Sequence, residues 1–113
     1  MKTLFFFATL LVTLSSHAAT VLTCRDSSGS SYQVTREGRS PQAVLQEMDG
    51  RRIMASRAGR IQAAGQLDSY FIELFDQNGR FFLVGTDLHS PGFLTGAMDA
   101  FGGSRSVSCQ LPH

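Results

Sequence analysis

Two hydrophobic patterns divide the chain. Residues 4–14 form one nearly unbroken apolar run, LFFFATLLVTL. From Thr20 onward, apolar residues recur at every second position in short stretches separated by Gly, Pro, Asp and Asn. Period-two alternation bounded by turn residues predicts half-buried strands. Residues 20–24 (TVLTC) and 31–36 (SYQVTR) are the first two, split by the turn cluster Asp26-Ser27-Ser28-Gly29. Glu37 to Pro41 breaks the second. Residues 43–48 and 51–56 face each other across Asp49-Gly50, and Asp-Gly between apolar runs is a strong hairpin signal. Ala58-Gly59 reads as a further turn before residues 60–64.

The second half is more apolar. Residues 70–75 (YFIELF) and 80–84 (RFFLV) flank Asp76-Gln77-Asn78-Gly79, a second hairpin. Both faces of this pair carry apolar side chains, so it is expected to sit centrally or to offer one face, around Phe71 and Phe75, to a partner. Residues 93–98 and 105–111 follow, joined by Gly102-Gly103-Ser104. In the last of these, Val107, Cys109 and Leu111 are expected to face inward. Ser40-Pro41 and Ser90-Pro91 also fit helix starts, and residues 93–101 have helical spacing as well. Gly92 and Gly96 weaken that helix, and strand is preferred. The pattern therefore predicts an all-β domain: an antiparallel meander of seven to nine short strands forming a barrel or sandwich.

The N-terminal run belongs to a different element. Lys2 precedes it and Ser15-Ser16-His17-Ala18-Ala19 follows. A positive charge, a short apolar core and small residues before a cut describe a secretory signal peptide, with cleavage expected between Ala18 and Ala19. Its brevity points to a bacterium and is too short for a transmembrane helix, which needs roughly 20 apolar residues. Residues 1–18 are thus the expected signal and residues 19–113 a single domain in the periplasm or secreted. Thr23 before Cys24 is not the small residue that a lipid-anchor signal requires.

Export changes the reading of the two cysteines, Cys24 and Cys109. In an oxidising compartment such a pair implies a disulfide, here linking the first and last strands. Closing a loop of about 86 residues contributes roughly 4–5 kcal/mol in the chain-entropy estimate, an upper figure.

Charge and chemistry narrow the function more than they name it. After residue 18 the chain has nine arginines, no lysine and nine acids, a net charge of zero. That balance argues against general nucleic-acid binding, which depends on neutralising many phosphates. Residues 19–60 nevertheless carry a net +3 and residues 61–113 a net −3. Arg51, Arg52, Arg57 and Arg60 form the densest basic group, with Arg36 and Arg39 upstream. Arginine forks suit carboxylates and phosphates. If residues 51–56 and 60–64 are adjacent strands, several of these heads gather at one end and bind an anionic envelope component or an acidic protein. For catalysis, Asp87, His89 and Ser90 are close in sequence but read as a polar loop, because a triad is a matter of geometry. No metal site is expected, since Asp87 and His89 supply only two ligands, and no cofactor motif is present. Ser28-Gly29-Ser30-Ser31-Tyr32 matches the Ser-Gly-x-x-Tyr motif of the periplasmic inhibitors of C-type lysozyme. In size, export, β pattern and cysteine pair the chain is loosely similar to that family of small barrels, and the similarity implies inhibitor-like binding. Here, however, the motif falls in the first turn rather than near the middle of the barrel, and Trp is absent.

The reading is a small exported, non-enzymatic binding protein of the bacterial envelope; the alternatives are an envelope assembly protein or a lysozyme-inhibitor-like protein. Intact-mass measurement of the protein from the envelope fraction should give an N-terminus at Ala19 or one residue later. A full-length chain in the cytosol would refute export.

Overall fold

A computed structural model describes residues 18–66, 69–86 and 92–112. The signal segment and Asp87, His89, Ser90 and Pro91 lie outside the described residues. Eight antiparallel strands follow one another around a closed barrel in chain order. They are β1 (Ala19–Asp26), β2 (Ser31–Arg36), β3 (Gln42–Asp49), β4 (Arg52–Gln66), β5 (Ser69–Asp76), β6 (Gly79–Thr86), β7 (Phe93–Ala100) and β8 (Gly103–Gln110). β7 occupies the segment for which helix and strand competed.

Alternation along each strand fills the barrel. Leu22 and Cys24 of β1, Val34 of β2, Leu45 of β3, Ile72 and Leu74 of β5, Val84 of β6, Leu94 and Met98 of β7, and Val107 and Cys109 of β8 are all buried. An eight-stranded barrel is just wide enough for its own side chains to fill it. Cys24 and Cys109 are direct partners in the β1–β8 ladder, with Cα atoms 4.0 Å apart, and they are disulfide-bonded. The bond lies inside the barrel and forms part of its core. A disulfide also points to an oxidising compartment outside the cytoplasm.

Several local expectations need correction. Ala58-Gly59 is not a turn: β4 is one continuous strand of 15 residues. Gly59 is there because of close approach. A Cβ at this position would come within 2.7 Å of both the Phe75 carbonyl oxygen and the Phe81 ring. Glycine inside a strand commonly marks such an approach or a barrel corner. β4 in fact changes partner here, pairing with β3 through Arg60 and with β5 from Arg60 onward. Phe81 and Phe82 are adjacent on β6 and by alternation would face opposite sides, yet both are buried. A register shift between Leu74 and Phe75 leaves Phe81 without a partner across the ladder and turns it inward. Leu111 lies beyond β8 and is exposed. The loose linker expected at Gly102–Ser104 is instead a two-residue turn, Phe101-Gly102, between the paired Ala100 and Gly103. Both of its central residues have positive φ (53° and 86°), as a tight hairpin of this twist requires.

If ring closure rests on the Cys24–Cys109 bond, reduction should lower the melting temperature by about 10 °C or more, since each kcal/mol moves a domain of this size by about 4–8 °C. Circular dichroism melts with and without reductant measure this. An unchanged midpoint would show that the β1–β8 ladder holds without the bond.

Candidate functional site

The β1–β2, β3–β4, β5–β6 and β7–β8 turns lie at one end of the barrel, and the polar chemistry gathers there. The Asp26 carboxylate organises the first turn. Its Oδ1 accepts from the backbone N–H groups of Ser28 and Ser30, both at 3.0 Å, and from the Ser28 hydroxyl at 2.6 Å. Its Oδ2 accepts from the Tyr32 hydroxyl at 2.9 Å. Arg105 Nη1 in turn donates to the Tyr32 oxygen at 2.6 Å. Hydrogen bonds from Ser28, then Tyr32 and Ser30, hold the Asp26 carboxyl down at about 2 against an opposing effect of burial. Burial pushes the Tyr32 phenol up. Phe101 stacks on the Tyr32 ring at 6.3 Å, which anchors its unusual backbone. The Ser-Gly-x-x-Tyr letters are therefore the inner wall of a turn: Tyr32 is buried and Ser28 is spent on Asp26.

Arg57 makes a second knot. Its Nε and Nη2 donate to Asp76 Oδ2 at 3.1 and 2.7 Å, and Nη1 donates to the Asp99 carbonyl at 3.1 Å. The guanidinium also lies 4.2 Å from the centre of the Phe81 ring. Arg57 thus ties the first half of β4 to the β5–β6 and β7–β8 turns and covers the mouth of the barrel. Asp76 is held below its ordinary value, chiefly by Arg57.

The other candidate arginines are placed differently. Without a turn at Ala58-Gly59, they do not gather at one end. Arg51 sits in the β3–β4 turn, Arg52 begins β4, and Arg60 lies eight residues further along an extended strand, roughly 26 Å away at about 3.3 Å per residue. All three are exposed, and none has a side-chain partner among the described residues. Between Arg52 and Arg60 stands a surface that the charge pattern did not announce. Ile53 and Met54 are each 52% exposed, high for large apolar side chains. A register shift between Glu47 and Met48 causes this: Glu47 pairs with Ala55 and Met48 with Ile53, leaving Met54 as the extra residue. Such a bulge re-aims side chains. The sequence signal for this surface is the run Arg51-Arg52-Ile53-Met54, in which strict alternation would place one of the two apolar side chains inward. Phe71 and Phe75, by contrast, are only half exposed.

Among the described residues, no three His, Cys, Asp or Glu side chains could share a metal ion. Set against protein families, curated proteins and solved structures, the chain finds no match.

Asp26 gives a testable pH dependence. Its folded value lies below the ordinary 3.8, so the stability it supplies is complete above about pH 4 and is lost as pH falls towards 2. Asp26→Asn should lower the melting temperature at pH 6 by about 5 °C or more and flatten the decline between pH 4 and 2. Parallel acid slopes for the two proteins would mean that Asp76 and other carboxylates carry the acid sensitivity.

Proposed function

We propose that this chain is an exported, non-enzymatic binding protein that presents the β3–β4 arm to a partner outside the cytoplasm. The observation that carries the reading is the exposure of Ile53 and Met54 beside Arg51 and Arg52, two cations with no side-chain partner among the described residues. Water-exposed apolar side chains rimmed by charge mark interaction surfaces. The barrel is filled by its own side chains, so a partner has to be met on the outside. Arg57 supports the reading by fixing the arm to the neighbouring turns, which lowers the entropy lost on binding. The lysozyme-inhibitor reading loses its motif to the Asp26 turn and rests on barrel size and the cysteine pair alone.

The assembly reading has its own surface. A groove of about 470 Å³ runs over Leu83, Gly85, Gly96 and Ala97 on the outside of β6 and β7. Site-specific photo-crosslinking separates the two. A benzoylphenylalanine at Met54 should give a defined product in intact envelopes, and the Arg51→Ser/Arg52→Ser pair should reduce it about fivefold or more, as should high salt. Crosslinking from Ala97 but not from Met54 would move the function to the groove.

A further inference from the structure

Among the described residues, the first half of β4 has only one neighbouring strand. Arg52 to Arg60 pair with β3, whereas the ladder with β5 begins only at Arg60. β5 ends at Asp76, opposite the start of the unpaired stretch, and its turn carries the chain back into β6. The edge of β4 between Arg52 and Ala58 therefore lies open although the barrel as a whole is closed.

The direction of its backbone groups follows from one bond. The Ile61 N–H donates to the Pro41 carbonyl at 2.8 Å, towards the β3 side. Strand backbone groups point alternately to the two sides. Arg60 thus points to β5, where it pairs with Phe75. Ala58 and Ser56 point the same way, beyond the end of β5, where none of the described strands meets them. Their side chains are small and exposed, so they do not themselves block an approaching chain on the outer face.

We infer that this edge accepts an acidic, extended polypeptide segment as an added strand. The inference rests on the arm being the binding surface and specifies how it binds. Free N–H and C=O groups in a row recognise another peptide backbone, which a phosphate-bearing lipid or glycan does not supply. Ile53 and Met54 offer apolar contact to alternate residues of that segment. Arg51 and Arg52 at one end and Arg60 at the other bracket the edge with positive charge, so the occupant carries carboxylates near both ends. A second copy of this chain is disfavoured, because pairing β4 with its own copy would bring two sets of these arginines together.

The test uses the oxidised protein and a fluorescent eight-residue peptide of alternating glutamate and valine, with a lysine-for-glutamate counterpart and an N-methylated one. At millimolar acidic peptide, amide exchange at Ser56 and Ala58 should slow by about tenfold or more, and the lysine and N-methylated peptides should bind about tenfold more weakly. Ala58→Pro removes an N–H that the β3 ladder does not use, so it should abolish binding without moving the melting temperature. The N-methylated peptide reports the same backbone contact without altering the protein. Unchanged exchange at Ser56 and Ala58 overturns strand addition, as does equal binding of the lysine peptide. A dimer by light scattering that itself protects these amides also overturns it, since the occupant is then a second copy. A product at Met54 in envelopes combined with unprotected Ser56 and Ala58 would leave the arm as a binding surface and reject only the added strand.

Discussion

Everything in this barrel depends on β1 finding β8. Seven of the eight ladders join strands that are consecutive in sequence. Each of those needs only a local turn. The eighth joins Thr23–Asp26 to Val107–Gln110 across nearly the whole chain. Without it the molecule is an open sheet with two edges and an apolar face that nothing covers. Of the eight ladders, this one closes the longest loop and so carries the largest loop-closure cost. The disulfide sits at this one long-range seam, between residues that already face each other, and both sulfurs replace aliphatic packing in the core.

The turn end of the barrel shows how a filled interior is finished. Alternation continues inward past the last apolar layer, but near solvent the inward positions become Asp26, Tyr32, Arg57 and Arg105. Each of these has a named partner, and no buried side-chain nitrogen or oxygen among the described residues is left without one. Hydrogen bonds to charged groups are stronger than neutral ones, and here they connect hairpins that are far apart in sequence. Arg57 and Asp99 are 42 residues apart, and Arg105 and Tyr32 are 73 apart. The polar end is therefore a lock between neighbouring hairpins. The same lock leaves the first half of β4 standing beyond the end of β5, with its edge open.

The strands were legible in the sequence because period two and turn residues are local signals. The cysteine pair was legible because the export expected from the N-terminal run, together with position, left one simple use for it. Gly59 misled for a physical reason: glycine serves both turns and close backbone approaches, and only the Phe81 ring, 22 residues away in sequence, tells them apart. Phe101 hid a tight turn because an aromatic residue rarely takes positive φ, and the Tyr32 ring that holds it lies on β2. The arginine group was visible as composition, but its division was not. One member closes the barrel mouth and three have no side-chain partner among the described residues, and that depends on Asp76 arriving beside Arg57 from the next hairpin. The bulges at Met54 and Phe81 are similarly invisible, since one extra residue within a strand leaves the local hydrophobic pattern nearly unchanged.

The placement of the seam has a consequence for the order in which the molecule is completed. A chain that emerges N-terminus first, from a ribosome or through a narrow pore, releases β1 at the beginning and β8 at the end. The hairpins β1–β2 and β3–β4 can form as soon as their own residues are free. β1 must then keep its outer edge and Cys24 unpartnered until Gln110 has emerged. Throughout that interval the thiol is exposed to any oxidant and the sheet edge to any other strand. β8 thus decides when the barrel stops being a sticky sheet, and removing only that strand would leave the other seven intact in sequence yet permanently in that unfinished state.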